Sequence, residues 1–120
     1  MITQDDIDAF EYYNKLDLTL ADYQKASAKT AIYPAGASIL YPALGLAGEA
    51  GEVANKVKKV IRDGKLDREG ISDEIGDCLW YMAALCRDLN INLAEVAHDN
   101  LDKLNERKRR NSLNGSGDKR

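Results

Sequence analysis

An all-α fold, a helical bundle of about four to five helices completed by oligomerisation, is what this sequence predicts. Three observations predict it. Apolar residues recur at three- and four-residue spacings, no stretch alternates convincingly with period two, and capping residues and glycines punctuate the segment ends.

The first helix is expected over residues 3–15, with Thr3 as its cap and Asp5 and Asp6 in its first turn, where negative charge suits the helix dipole. Ile7, Phe10 and Tyr13 supply its apolar stripe. A second helical stretch covers about 19–31, starting at Thr19 or Asp17, with Tyr23, Ala26 and Thr30 on one face. Pro34 disfavours a helical Tyr33, and Gly36 frees the turn that follows. The central helix begins near Ser38, tolerates Pro42 in its first turn and runs to about Arg62, where Asp63-Gly64 stops it. Its buried side is expected to hold Leu46, Val53, Val57 and either Val60 or Ile61. Asp67 or Ser72 caps the next helix, whose apolar residues are Ile71, Ile75, Leu79, Met82, Leu85, Cys86 and Leu89. Asn92 and Glu95 form a capping box for a last helix over about 93–110, with Leu93, Val96, Ala97, Leu101 and Leu104 inward. Residues 1–110 therefore read as one domain. Residues 111–120 are polar and glycine-rich and read as a flexible tail.

Composition narrows the function without choosing it. The chain has 120 residues, an ordinary 44% hydrophobic content and a net charge of −3. Overall charge therefore selects no partner, and no aromatic interleaving of the terminal basic cluster points to nucleic acid. Cys78 and Cys86 are eight residues apart, about 12 Å of helical rise, too far for a bridge within one helix. With no secretory signal at Met1-Ile-Thr-Gln-Asp-Asp, this suggests a reducing cytoplasm. The uncharged run from Ala31 to Gly48 contains two prolines and three glycines and reads as a loop plus a helix start, not a membrane span.

Chemistry concentrates between Gly45 and Asp77. Glu49 and Glu52 are three apart, as are Glu74 and Asp77, so each pair shares one helix face, about 60° apart around the axis. If the two helices pack as a hairpin, four carboxylates converge. Such a group is stable only protonated, paired or bound to a cation. Oxygen-only ligation points to Mg²⁺ or Mn²⁺ rather than zinc. Gly48, Gly51 and Gly76 lie beside the acids, each costing the helix about 1 kcal/mol relative to alanine. That suggests something approaches the backbone there. A second set, Asn100, Lys103 and Arg107, lies on the last helix and suits phosphate oxygens.

Each feature has a plainer explanation. Glu52 and Lys56 are placed for an i,i+4 surface ion pair. Asn100, Lys103 and Arg107 merge into a solvated basic helix end with Lys108, Arg109 and Arg110. His98, the sole histidine, lies away from the acidic pairs and reads as a surface or interface residue. Neither pair carries the Glu-x-x-His of di-iron bundles, so an oxidase is disfavoured. Tyr33, Tyr41, Trp80 and Tyr81 suit core or interface packing, although Tyr41 and Tyr81 could stack on a base.

At these residues the chain resembles the MazG-like nucleoside triphosphate pyrophosphohydrolases of the all-α NTP pyrophosphatase superfamily. The likeness rests on Gly45-Leu-Ala-Gly-Glu-Ala-Gly-Glu-Val53, Glu74-Ile-Gly-Asp-Cys-Leu-Trp-Tyr81 and Asn100-Leu-Asp-Lys-Leu-Asn-Glu-Arg107, and covers most of the chain from Tyr23 onward. The tail Gly115-Ser-Gly-Asp-Lys-Arg120 is similar to that of small bacterial and phage members. The resemblance implies hydrolysis of a (deoxy)nucleoside triphosphate to the monophosphate and pyrophosphate, by water activated for attack at the α-phosphorus. It implies Mg²⁺, with Mn²⁺ able to substitute, held by Glu49, Glu52, Glu74 and Asp77. Glu49 or Glu52 would serve the water, and Lys56, Asn100, Lys103 and Arg107 the phosphates. A homodimer or homotetramer is expected, and the tail could order over the triphosphate. Two alternatives use the same residues differently: a nucleotide-binding regulator without turnover, and a helical interaction module whose acids are surface charge.

Overall fold

The computed structural model describes residues 1, 3, 4 and 15–110. The tail at 111–120 and most of the helix expected over 3–15 lie outside these residues. Four α-helices and no strand occur among the described residues: α1 (Leu20–Ser27), α2 (Leu40–Asp63), α3 (Arg68–Asp88) and α4 (Leu93–Arg109). Short 3₁₀ turns at Lys15–Asp17, Ala28–Thr30 and Ala35–Ala37 join the earlier segments. The all-α expectation is met.

Local chemistry sets the boundaries. Thr19 caps α1 by accepting the Asp22 N–H, Asp67 caps α3 by accepting the Gly70 N–H, and Asn92 caps α4 by accepting the Ala94 N–H. Each capped N–H would otherwise lack an intrahelical partner. Gly64 ends α2 in the left-handed conformation at φ +67°, which glycine adopts without a Cβ penalty. Pro42 sits in the first turn of α2, where its missing N–H does no harm, and is buried.

The start of α2 is less ordinary. Ile39 has φ +68° and ψ −55°, and the Leu40 N–H donates to Ser38 O at 2.7 Å. This is a γ-turn of the rare, strained hand, built on a β-branched residue. Asp88, the last residue of α3, holds it. Its carboxylate accepts the Ile39 N–H at 2.9 Å and the Tyr33 hydroxyl at 2.8 Å.

Helices α2 and α3 form an antiparallel hairpin, the main packing unit of the chain, while α1 packs on α3 and α4. Gln24 of α1 ties in the α3–α4 turn, donating to Ile91 O and accepting the Leu93 N–H. Ala83 and Ala84 of α3 and Leu93 of α4 are buried. Several residues expected inside are not. Val57, Ile61, Ile75, Met82, Leu89, Val96 and Leu101 are 41–89% exposed. Their helices are apolar over more of the circumference than one neighbour covers, so periodicity finds the apolar positions and the single chain leaves part of them open.

Candidate metal and nucleotide site

The hairpin lays its chemistry out in order. Tyr41, Gly45, Glu49, Glu52, Lys56 and Lys59 fall within about 80° of one another around α2 at about 100° per residue. Along that face an aromatic residue comes first, then the acids, then the bases. On α3 the corresponding line is Tyr81, Asp77, Glu74 and Gly70, read backwards because the helices are antiparallel.

Glu49, Glu74 and Asp77 offer carboxylate oxygens that all lie within 4.8 Å of one another. Glu52 is exposed, one turn further along α2, and outside this trio. The crowding is felt by Glu49, whose pKa is raised from 4.5 to about 6. A hydrogen bond shared with Glu74 is the main cause, followed by desolvation and the charges of Glu74, Asp77 and Glu52. Without a cation, the group holds between about pH 4.5 and 6 a proton that an isolated glutamate would already have lost. Three hard oxygen donors burdened by mutual repulsion are a donor set that fits a hard divalent cation. Among the described residues no ion pair joins Glu52 to Lys56, so the plain i,i+4 pairing is not made.

Beside the trio, Thr30, Glu49, Asp77, Trp80 and Tyr81 line a cavity of about 320 Å³. The Trp80 indole N–H donates to Thr30 Oγ1 at 2.7 Å. Trp80 meets Tyr81 edge-on at 5.1 Å, and Tyr41 lies 6.3 Å from Tyr81. Tyr33 stacks on Tyr41 at 4.8 Å and 16°, so one face of Tyr41 is already covered. Burial chiefly pushes the Tyr81 phenol up, helped by Tyr41, Glu49 and Asp77, which keeps it a neutral hydrogen-bond donor.

Gly45 permits this arrangement. A Cβ there would fall inside the van der Waals envelope of the Tyr81 ring at Cε1, Cδ1 and Cζ. The glycines beside the acids behave differently: nothing lies within 4 Å of a Cβ built on Gly48, Gly51 or Gly76. The close approach within the protein is thus between Gly45 and a tyrosine, while Gly48, Gly51 and Gly76 leave open ground beside the acids.

Asn100, Lys103 and Arg107 lie on α4, and none of them lines the cavity beside the trio. Asn100 is exposed, Lys103 half-buried and Arg107 only 3% exposed. His98 is exposed on the same helix, its Nδ1 3.4 Å from Asp102 and 3.8 Å from Asp99, as a surface residue. Cys78 and Cys86 are free thiols. Burial, then the neighbouring carboxylates, pushes the Cys78 thiol up and away from reactivity.

Sequence reasoning passed over Thr30 as a cavity residue and Asp88 as the anchor of the α2 entry. Asp88 had left a signal. A carboxylate in the last turn of a helix opposes the helix dipole, so it needs a local reason. That reason is the donor set of Ile39, Tyr33 and Ser38. Desolvation pushes Asp88 up, but these hydrogen bonds and the Arg87 charge outweigh it and hold the carboxyl below its usual value.

An antiparallel helix pair carrying Glu-x-x-Glu against Glu-x-x-Asp, with three converging carboxylates and an adjoining aromatic cavity, makes this an all-α protein with a candidate carboxylate metal site. The model of the MazG nucleotide pyrophosphohydrolase domain matches residues 40–111, the α2–α3 hairpin and all of α4. The chain belongs to the MazG nucleotide pyrophosphohydrolase family. It is also similar to the Gene 37 protein of Mycobacterium phage L5, at 45% identity over 109 residues, covering 82% of this chain and 96% of the phage protein. No solved structure matches significantly.

Proposed function

We propose that this protein hydrolyses (deoxy)nucleoside triphosphates to the monophosphate and pyrophosphate. The observation that carries this reading is the convergence of Glu49, Glu74 and Asp77 within 4.8 Å beside an aromatic-walled cavity. A divalent cation, Mg²⁺ or Mn²⁺, held by these three with Glu52 would neutralise phosphate charge and lower the pKa of water. The protein's own groups do the rest. Glu49 or Glu52 accepts the proton of the attacking water. Glu52 is the more exposed of the two and stands outside the hydrogen bond that Glu49 shares with Glu74. Lys56, one turn beyond Glu52, balances negative charge on the departing phosphates. Tyr81, with Trp80 beside it, offers a wall for the base, and Tyr41 backs it.

Asn100, Lys103 and Arg107 keep the phosphate role that the resemblance assigns. Since they do not line the protomer's cavity, that role calls for a substrate reaching past it or for a second protomer. A homodimer or homotetramer is supported by the open apolar residues along the hairpin, among them Leu44, Val57, Ile61, Ile75 and Met82. A cytoplasmic setting is supported by the two free thiols, and no helix among the described residues is long and apolar enough to cross a membrane.

A panel of (d)NTPs with MgCl₂, resolving pyrophosphate from orthophosphate, tests the reading. Pyrophosphate release is expected. Nucleotide binding without release would make the protein a regulator, and neither would leave a helical interaction module.

A further inference from the structure

A second cavity, of about 520 Å³, opens where α2 turns into α3. Its cationic walls are Lys56, Lys59, Lys65 and Arg68, with Asp63, Asp67 and Glu69 among them. Two of the three acids are already engaged. Arg62 donates to both carboxylate oxygens of Asp63, at 2.7 and 2.9 Å, and Asp67 caps α3 through the Gly70 N–H at 2.9 Å. The cap matters here, since it takes up the helix N-terminus and leaves the side-chain cations as the groups that would recognise a ligand. With Asp63 paired to Arg62, the lining sets four cations against the charges of Asp67 and Glu69, a net positive concave setting.

Position gives this cavity its meaning. Lys56 and Lys59 continue the face of α2 that carries Glu49 and Glu52, about 10 and 15 Å along the axis from Glu49. On the other side of the acids lie Gly45, Tyr41 and the Trp80–Tyr81 pair. The carboxylates thus stand between an aromatic end and a basic end of one continuous strip. A nucleoside polyphosphate has the same polarity, with a base at one end and an anionic chain at the other. Tetrahedral oxyanions suit lysine ammonium and arginine guanidinium donors.

We infer that the cavity at the α2–α3 turn is a polyphosphate subsite, in which Lys59, Lys65 and Arg68 hold the terminal phosphates while the base lies toward Trp80 and Tyr81. The inference rests on the hydrolase reading for its direction, but the subsite itself is testable without turnover. It adds to the α4 residues a set of phosphate ligands from the hairpin itself, and makes the site sensitive to the number of phosphates. A monophosphate product, too short to reach Lys59, would be held less firmly than its triphosphate.

Inorganic tripolyphosphate is the probe, titrated by calorimetry into the metal-free protein, where the acidic trio offers it no attraction. The wild type should bind it. Lys59→Ala and Arg68→Ala should each weaken binding by about tenfold, the effect of losing one charge-assisted contact. Lys59→Arg should restore most of it. Both positions are exposed, and thermal melts would check that the variants fold. In turnover, the same variants should raise KM for a triphosphate by a similar factor with kcat within about twofold, since only binding of the remote end is lost. Unchanged tripolyphosphate affinity and unchanged KM would overturn the subsite. The two readings fail separately. Lysine-dependent tripolyphosphate binding in a protein that turns over no nucleotide sustains the subsite and removes the hydrolase. Normal turnover with indifferent variants does the reverse.

Discussion

Replacing Gly45 with alanine sets a methyl group into the edge of the Tyr81 ring, far inside the roughly 3.5–4.0 Å at which carbon atoms rest. The obstacle is a ring, not the end of a flexible chain, so either the tyrosine leaves its place or α2 and α3 move apart. The helix itself would gain about 1 kcal/mol from the substitution. Overpacking costs about 1–3 kcal/mol. Gly48→Ala makes the same helical gain with nothing within 4 Å to resist it. The difference between the two variants is therefore about 1–3 kcal/mol, or some 4–12 °C in Tm for a domain of this size. Thermal melts at one fixed protein concentration measure it, since any self-association would otherwise shift Tm. Tyr81→Ala supplies the control. With the ring gone, Gly45→Ala should become as favourable as Gly48→Ala, and the pair should show that coupling in a double-mutant cycle. If Gly45→Ala melts as high as Gly48→Ala in the native background, the reasoning about Tyr81 is wrong.

Three further outcomes follow from the site. Glu52→Gln and Asp77→Asn should nearly abolish pyrophosphate release while leaving the circular dichroism spectrum intact, and wild-type rates in both would remove the assigned roles. Because the Glu49 pKa is raised from 4.5 to about 6, the folded protein holds its proton longer than the unfolded chain. Without metal, this residue's contribution to Tm should therefore fall as pH rises from about 4.5 to 6, then level off. MgCl₂ should raise Tm above pH 6 and have little effect below pH 5, as melts across that range would show. Asp88→Ala removes the acceptor of Ile39, Tyr33 and Ser38 and should destabilise by about 2–3 kcal/mol, with loss of near-UV dichroism from the Tyr33–Tyr41 stack. Since the Asp88 carboxyl is held below 3.8, its stabilisation is complete above that pH and is lost on further acidification.

The parts of this protein written in local chemistry could be read from the chain. Asn92 announces a helix start, Thr19 and Asp67 each do so as one of two candidates beside Asp17 and Ser72, Gly64 marks a stop, and the two acidic pairs mark a shared face, because each depends on neighbours within a turn or two. Ile39 could not be read, since a β-branched residue is the last choice for positive φ. Only Asp88, far away in sequence, makes that conformation tenable. The exposure of Val57, Ile61 and Ile75 was hidden for a related reason. Periodicity marks a residue as apolar-faced and says nothing of which element, or which molecule, covers it. Gly45 looked like one glycine among several, and its meaning lay in a ring 36 positions on. Asn100, Lys103 and Arg107 share a helix face as expected, yet helical spacing does not say which neighbour that face meets.

The γ-turn at Ser38–Leu40 separates two kinds of sequence change. One residue inserted upstream of Ser38 lengthens a connection and leaves the phase of α2 untouched. The same insertion between Gly45 and Glu49 would rotate everything downstream by about 100°, carrying Glu49, Glu52, Lys56 and Lys59 away from Tyr41 together. What this chain stores as function is thus a single angular setting, fixed at a kink and propagated along one rod. Descendants can lengthen the entry segment where Tyr33 still reaches Asp88 and Tyr41, and can hardly alter the residue count of the rod.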